Sequence, residues 1–424
     1  MVGEIDGRDS VLIPTGFDSK TYACVRSLAA RGIHTIIASE YEDVPVSTSR
    51  FCDELIVLPS PLDGLMPYRD ALLEIAARPD VGTIVPTRSI DPYLFSNYRM
   101  EFEQYVTLPT LSLETLRTVH DRIRLVRAAE AAGVPVPQTQ RFGDVDDWNS
   151  ELIIKSRYNL LVEAYINGYA SDQSETIKVV KHLQPGEKPD LETIRSEYKH
   201  EPIVQQYVRS DDEYLFGALY DHGEALTTFQ HRQVRGDSYT GGGGVFRETV
   251  NIPELEETGR MLLDHLDFHG LACVEYMKDE NTGEFVLTEI NPRIWQSIPC
   301  AVQAGADFPY YYWLLATGRA DEVGSGYEIG VGSHQLYGEL GHLLSIQREE
   351  SPLVNKPSLL RTAWEILSSC YEMPRFDMLR REDPLPFLHS IAFVLKQWQE
   401  APKSLIKSDI HSQRVPDDDR QKEN

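Results

Sequence analysis

Short apolar runs alternate with helical segments along the first 110 residues. The runs "VLIPT", "HTIIAS", "ELIVLP" and "TIVPT" predict strands, while "YACVRSLAARG" and "ALLEIAARP" predict helices between them. Alternation of this kind is typical of a parallel sheet with helices packed on both faces. We therefore predict an α/β, doubly wound domain over residues 1–112. Its first turn, "TGFDSK", lacks G-x-G-x-x-G, so the pattern gives a nicotinamide or flavin site little support.

The middle of the chain predicts an α+β fold. A segment starting at Ser112, "SLETLRTVHDRIRLVRAAEAAGVPVPQT", has helical spacing, a serine start and a glycine stop, and predicts one long helix. A short strand, "ELIIKSR", follows and carries Lys155 just before a turn. The segment "PIVQQYVRSDDEYLFGALYDHGEALTTFQHRQVRG" alternates as consecutive antiparallel strands do.

Beyond about Gly318 the pattern becomes helical, and we predict a helical region over residues 321–408. The polar, charged residues 409–424 predict a disordered tail.

Composition narrows the functional classes. The 424 residues are 41% hydrophobic, enough for a substantial core and for two or three domains. With 66 acidic against 41 basic residues the formal net charge is −25, which argues against a nucleic-acid or anionic-membrane surface. Most basic residues are arginine, so the surface suits a salt-rich, halophilic cytosol; a generic acidic surface is the alternative.

Targeting and redox signals are absent from the sequence pattern. The start has no basic segment followed by an apolar core, and no window resembles a membrane span, so we expect a soluble cytoplasmic protein without membrane insertion. The five cysteines are widely spaced without C-x-x-C, which signals neither a disulfide framework nor a zinc site.

The hairpin "CVEYMKDENTGEFVLTEINPR" carries the clearest chemical signal. Glu275 lies on its first strand, and Glu289 and Asn291 lie two apart on the second, so these side chains can converge across the ladder. Two carboxylates about 4 Å apart repel by roughly 4 kcal/mol at an effective dielectric near 20. Two carboxylates and an amide suit Mg²⁺. The alternatives are a neighbouring arginine paired with Glu275 and a turn cap by Asn291.

These features together resemble the ATP-grasp superfamily, and in particular its carboxylate–amine ligases, which are related to D-alanine ligase and carbamoyl-phosphate synthase. The resemblance rests on a lysine ending an apolar strand, two acids facing across a hairpin, and "TEINPR"; "AGADFPYYYWLLATG" resembles the helix that follows in that group. It covers roughly Leu113 to Gly318, preceded by a sheet domain as in the family. It implies an ATP-grasp domain of two α+β subdomains over residues 113–320.

The resemblance also implies site roles. Glu275, Glu289 and Asn291 would bind the Mg²⁺ ions that bridge the ATP phosphates. Mn²⁺ is the alternative ion. Nucleotide contacts would come from Lys155 and Arg122 at the phosphates, Gln206, Tyr207 and Val208 at the adenine, and Glu213 at the ribose.

Two departures from the family pattern affect the phosphate site. Many members have Asp-Lys where this chain has Asp121-Arg122, and arginine meets a phosphate as a planar fork rather than a point charge. No glycine-rich loop follows Lys155. A run of four glycines, Gly241 to Gly244, comes later, as an anion-binding backbone or a plain flexible loop.

Arginines near these motifs predict the substrate side. Arg232 and Arg235 lie on one predicted strand, Arg247 follows the glycine run, and Arg293 lies in the turn after the metal ligands. Arginine clusters beside an ATP site grip a substrate carboxylate or an acyl phosphate, so we predict catalytic roles for Arg293, Arg235 and Arg232. Ordinary surface arginines are the alternative. His231 reads as structural.

The resulting prediction is an ATP-dependent ligase that joins a small carboxylic acid to an amine through an acyl phosphate. The alternatives are a phosphotransferase acting on a hydroxyl and a non-catalytic nucleotide-binding switch. A homo-oligomer is compatible with the sequence.

Overall fold

The computed structural model describes residues 9–177, 179–210 and 212–400, with side chains up to residue 392. The first domain contains a four-stranded parallel sheet in the order β3-β2-β1-β4. Its elements are β1 (Ser10–Pro14), α1 (Ser19–Ala29), β2 (His34–Ser39), β3 (Glu54–Val57), α2 (Leu65–Ala76) and β4 (Val81–Ile84).

Both faces of this sheet are buried, as a doubly wound domain requires. On β1, Leu12 packs in the apolar cluster that contains α2, whereas Val11 and Ile13 pack in the cluster that contains α1. Successive side chains of a strand point to opposite faces, so a continuous apolar run fills both layers. The predicted parallel sheet and its two helical layers are thus present.

The predicted long helix after Ser112 is wrong in one respect, because the structure divides it at Asp121. The helices of this segment are α3 (Asp91–Asn97), α4 (Arg99–Phe102), α5 (Leu113–His120) and α6 (Arg122–Ala131). Asp121 has extended backbone angles, and its carboxylate accepts a hydrogen bond from the Ile123 amide, 3.1 Å away. An aspartate at this position caps a helix, which ends α5 and starts α6 within a continuous apolar pattern.

A four-stranded antiparallel sheet follows, in the order β5-β8-β6-β7. Its elements are β5 (Thr139–Arg141), β6 (Leu152–Lys155), β7 (Val180–Leu183), α7 (Leu191–Tyr198) and β8 (Ile203–Gln206). One face packs Ile154 and Val204 against Tyr198 of α7 and forms a small core of its own. This sheet positions Lys155 at the end of β6.

The largest sheet has six strands in the order β13-β12-β9-β10-β11-β14, all antiparallel, and is called the central sheet here. Its elements up to the site hairpin are β9 (Glu213–Asp221), β10 (Glu224–Ser238), β11 (Gly241–Thr249), α8 (Pro253–His265), β12 (Gly270–Lys278) and β13 (Phe285–Asn291). The glycine run is neither a loop nor a free backbone, because Gly241 to Gly244 begin β11. A Cβ at Gly242 would lie 2.0 Å from Asp237 Oδ1, so glycine permits this close pairing.

The prediction of a helical region after residue 320 is incomplete, because this region also adds an edge strand to the central sheet. Helices α9 (Ile298–Gln303) and α10 (Phe308–Ala316) precede this region. Its own elements are β14 (Gly332–His334), α11 (Leu336–Arg348), α12 (Leu359–Glu372) and α13 (Leu385–Glu400). Strand β14 pairs with β11. A strand of only three residues within a helical pattern is too short to be predicted from its periodicity. The predicted tail, residues 409–424, lies outside the described residues. Within the described chain, no helix is both long and apolar enough to cross a membrane, and all five cysteines are free thiols.

Candidate nucleotide and magnesium site

The hairpin of β12 and β13 brings the three predicted metal ligands together. Glu275 and Glu289 are direct cross-strand partners, and Asn291 lies opposite Cys273 one step further along the same face. The Asn291 amide nitrogen is 2.7 Å from Glu289 Oε1 and 3.2 Å from Glu275 Oε1. These three residues form what we call the acid–amide cluster.

Arg122 and Lys155 neutralise part of this cluster from the facing elements. Arg122, the first residue of α6, places Nη2 2.8 Å from Glu289 Oε2 and Nη1 2.8 Å from the Ser156 carbonyl. Burial, and then the charge of Arg122, lower the pKa of Lys155 to about 7 despite the two nearby glutamates. Both side chains therefore border the acid–amide cluster, and their roles at the phosphates stay predictions.

The two carboxylates respond to this environment in opposite directions. Burial, followed by the charges of Glu289 and Glu213, raises the pKa of Glu275 to about 8. Burial would also raise the pKa of Glu289, but Arg122 and the Asn291 amide outweigh it and hold that pKa below its usual value. The charge of Glu289 thus raises the pKa of Glu275, as the predicted repulsion requires. The effect is on Glu275 because Arg122 forms its ion pair with Glu289.

The donor set fits Mg²⁺ in chemical type. Two carboxylates and one amide within hydrogen-bond distance supply hard oxygen ligands. At present the amide nitrogen of Asn291 faces the carboxylates, and its oxygen lies 3.3 Å from Arg293 Nη2. Asn291 would therefore turn its amide to offer oxygen to an ion.

The predicted adenine segment connects the two antiparallel sheets. Gln206 ends β8, and Tyr207 and the buried Val208 follow it before β9 begins at Glu213. The Tyr207 amide donates to the Glu151 carbonyl at 3.0 Å, which holds the segment along β6. The role of this segment at the adenine stays a prediction.

Glu213 lies near the acid–amide cluster. Its Oε2 is 2.6 Å from Gln233 Nε2, and burial followed by the charge of Asp237 raises its pKa to about 7. Glu213 is also one of the charges that raise the pKa of Glu275. Its predicted role at the ribose stays a prediction.

The predicted arginines separate into two groups in the structure. Arg293 lies at the acid–amide cluster, where its charge acts on both glutamates. Arg235 instead pairs with Glu339 of α11 at 2.7 Å, and Arg232 pairs with Glu248 at 3.0 Å. Arg247 is fully buried and pairs with Asp377 at 2.6 Å. Only Arg293 of this set is placed beside the cluster with no carboxylate bound to its guanidinium among the described side chains.

His231 has the structural position predicted for it. It is buried, its Nε2 lies 2.6 Å from Ser297 Oγ, and burial lowers its pKa to about 3.

Sequence reasoning missed the contribution of the first domain. Lys20, on α1, donates to the Thr87 carbonyl at 2.9 Å, pairs with Asp18 at 3.2 Å, and is close enough to Arg293 for that charge to lower its pKa after burial. The Ile294 amide, next to Arg293, donates to the Pro86 carbonyl at 2.9 Å. The carboxyl ends of β1 and β4, where the strand order reverses, thus border the cluster. The predicted parallel sheet could have indicated this contribution, because ligands bind at the carboxyl ends of parallel strands where the strand order reverses.

Comparison with known proteins gives matches at the level of the fold. No protein-family model and no curated protein sequence matches the chain. Solved structures do match: an N5-carboxyaminoimidazole ribonucleotide synthetase in its ADP complex has a TM-score of 0.59 at 15% identity, covering 88% of this chain and 100% of that one. An L-amino acid ligase from Bacillus licheniformis has a TM-score of 0.53 at 11% identity, covering 73% and 74%.

A third similar structure is the biotin carboxylase domain of the Hydrogenobacter thermophilus 2-oxoglutarate carboxylase, determined with MgADP, ADP and bicarbonate. Its TM-score is 0.55 at 16% identity, covering 73% of this chain and 70% of that one. Identities this low establish the fold alone. The sequence resemblance and the structural matches agree, and the chain has the fold of the ATP-grasp superfamily.

Proposed function

We propose that this protein is an ATP-dependent ligase that joins a small carboxylic acid to an amine through an acyl phosphate. The observation that carries the proposal is the acid–amide cluster with cationic side chains around it. Arg122 binds Glu289, and the charges of Lys155 and Arg293 act on the same carboxylate. Lys20 lies close enough to Arg293 for the two charges to interact. A cluster of oxygen ligands beside such side chains suits nucleotide phosphates and an anionic acceptor.

The structural matches support the same reaction type. One of the matched structures is an L-amino acid ligase, another holds ADP, and a third holds MgADP, ADP and bicarbonate. ATP and Mg²⁺, with Mn²⁺ as the alternative ion, are therefore the cofactors we propose. Bound Mg²⁺ would neutralise phosphate charge at Glu275, Glu289 and Asn291.

The proposed chemistry has two steps. A carboxylate oxygen of the substrate attacks the γ-phosphorus, the bond from that phosphorus to its bridging oxygen breaks, and ADP leaves. The amine nitrogen then attacks the acyl carbon, phosphate departs with the electron pair of the C–O bond, and the nitrogen loses one proton. Lys155 and Arg122 would hold the phosphates, while Arg293 would stabilise the acyl phosphate.

The first step needs no protein nucleophile, because the substrate carboxylate is itself the nucleophile. The chain's own residues would position the reactants and exclude water. Arg293 is held to its own backbone by a 2.9 Å hydrogen bond to the Ile294 carbonyl, and Ile294 is tied to the first domain. This arrangement fixes the guanidinium where the two domains meet. Arg232 and Arg235 would need to leave their glutamates to join the reaction, so we give Arg293 the main role.

The test is ADP release from ATP and Mg²⁺ with pools of small acids and amines, in high salt and in low salt. Release that requires both an acid and an amine, with hydroxylamine trapping the acyl phosphate, supports the ligase. A phosphorylated product stable to hydroxylamine supports the phosphotransferase instead. Tight ATP binding without turnover supports the nucleotide switch. Better activity in high salt would support the halophilic prediction; the cytoplasmic location and a homo-oligomer remain predictions as well.

A further inference from the structure

Two histidines and an aspartate lie together at the end of the central sheet remote from the acid–amide cluster. Strand β9 ends at Asp221, and His222 with Gly223 forms the turn into β10. His269 precedes Gly270, which begins β12 and pairs with Tyr220 beside Asp221. The antiparallel pairing of β9 with β12 thus brings together residues almost fifty positions apart.

The donor atoms of these residues have the spacing of a metal site. One ligand atom from each residue lies within 4.8 Å of the others. His269 Nδ1 is 3.4 Å from Asp221 Oδ1, and His222 Nε2 is 3.9 Å from the same oxygen. Tetrahedral zinc with bonds of about 2.1 Å separates its ligands by about 3.4 Å. The distance from His269 to Asp221 therefore matches this separation, and the distance from His222 to Asp221 exceeds it by about 0.5 Å.

The two imidazole rings are stacked, with centroids 4.0 Å apart and an angle of 8° between planes. A metal ion lies in the plane of each imidazole that binds it, so one ring must turn for both to bind. His222 can turn, because its side chain is 79% exposed, whereas that of His269 is 16% exposed. His269 provides the fixed ligand and His222 the adjustable one.

His269 already presents a lone pair. Its Nδ1 is 3.3 Å from the backbone amide of His222, which can only donate. A bound ion would take this lone pair in place of the amide, and the carboxylate of Asp221 supplies negative charge.

We propose that Asp221, His222 and His269 bind one divalent transition-metal ion of the zinc type. Two imidazoles and one carboxylate, completed by water, favour zinc over magnesium, which prefers oxygen ligands alone. The site is separate from the proposed catalytic centre, since Glu275 lies five residues further along β12, or about 17 Å.

The bound ion would join the β9–β10 turn to the start of β12. A Cβ at Gly270 would lie 2.4 Å from the Pro109 carbonyl, so this strand start is packed directly against the segment that leads out of the first domain. Closing that junction with a metal should stabilise the fold, because the ion binds the folded arrangement and not the separated strands.

Zn²⁺ titration of the full chain, followed by calorimetry and by thermal unfolding, tests the site. Excess Mg²⁺ is present throughout to occupy the acid–amide cluster. Two variants remove one ligand each: His222→Gly keeps the positive φ of 45° at the turn without strain, and His269→Phe keeps a ring to stack. The control is His265→Ala, an exposed histidine at the end of α8.

We expect one Zn²⁺ per parent chain with a rise in the melting midpoint, and at least about a tenfold loss of affinity in each ligand variant. The control should bind as the parent does. The proposal is overturned if the parent binds no Zn²⁺ under these conditions, or if both ligand variants, folded by circular dichroism, bind it as tightly as the parent. ADP release plays no part in these readouts, so failure here leaves the proposed function standing.

Discussion

Two groups of arginines and carboxylates lie on the central sheet and differ in charge balance. In the acid–amide cluster, Arg122 binds Glu289, whereas no arginine among the described side chains forms an ion pair with Glu275, whose pKa is raised to about 8. In what we call the buried arginine cluster, Arg235 pairs with Glu339 and Arg247 with Asp377, each at a ratio of one to one. In the first group one buried carboxylate is left without an ion pair to an arginine, whereas in the second each carboxylate has one.

The difference separates a candidate site from a structural contact. Charges that are paired and buried hold elements together, and here they join β10 and β11 to the region after residue 320. An uncompensated carboxylate costs folding free energy and persists where a ligand or ion offsets it. The sign and size of mutational effects should therefore differ between the groups.

The largest effect on stability should come from Arg247. Replacing this fully buried arginine by methionine leaves Asp377 without its charge partner, and the free energy of unfolding should fall by about 3–5 kcal/mol. Denaturant titration measures this loss, and turnover per folded molecule should be retained. Normal stability with lost turnover would place Arg247 on the substrate instead.

Glu289→Gln should give the largest effect on turnover. It removes an anionic ligand and the partner of Arg122, so ADP formation should fall by about 10²–10³-fold, the range for losing one transition-state charge contact. Steady-state assays at saturating ATP measure it. A folded variant that turns over normally would remove the acid–amide cluster from catalysis.

Lys155→Ala should weaken ATP binding by about 1.5–3 kcal/mol, because a charge-assisted phosphate contact is lost. Calorimetry with ATP and Mg²⁺ measures the change. Lys181→Ala is the matched control, since Lys181 lies on the neighbouring strand β7, is half exposed and pairs with Glu197. Equal affinities in the two variants would make Lys155 an ordinary strand end.

Arg293→Met and Arg235→Met should separate, although the sequence assigned both to the substrate. Arg293→Met should slow acid-dependent ADP formation by roughly tenfold or more with ATP affinity kept, because one charged hydrogen bond to the acyl phosphate is lost. Arg235→Met should lower stability instead, because the buried Glu339 loses its arginine and keeps only its contact with His334. Matched kinetics and melting curves decide, and the reverse pattern would exchange their roles.

The smallest effect concerns pH. Because the pKa of Glu275 is raised to about 8 in the folded protein, the folded state binds more protons than the unfolded state above about pH 5. Stability of the metal-free protein should therefore fall as pH rises from about 5 to 6, before Lys155, with its pKa of about 7, begins to lose its proton. Glu275→Gln should flatten this decline. Identical pH profiles for parent and variant would show that Glu275 keeps its ordinary pKa.

Local sequence predicted those parts of the site whose partners are near in the chain. Glu275 and Glu289 are joined by a short hairpin, so strand alternation alone placed them on one face. The break at Asp121 escaped the same reasoning, because a capping carboxylate competes with a helical pattern that continues on both sides. Arg122 owes its position at Glu289 to that break.

Longer-range partners could not be predicted. Arg235 and Arg293 are both arginines near predicted site motifs, but Glu339 of α11 forms its ion pair with Arg235 and not with Arg293. The sequence did not predict that Lys20 lies near Arg293, because the distance between them depends on how the first domain packs against the central sheet. Ion pairs between residues more than a hundred positions apart leave no periodic trace in the sequence.

By itself the sequence determined the alternating first domain, the antiparallel strands of the middle and the convergence of the hairpin acids, because periodicity and short loops are local properties. The tertiary structure decided which glutamate receives Arg122, which arginines are neutralised, and that the glycine run and residues 332–334 are strands of the central sheet. Those outcomes depend on packing between distant segments, where the burial of one charge is offset only by another that folding brings beside it.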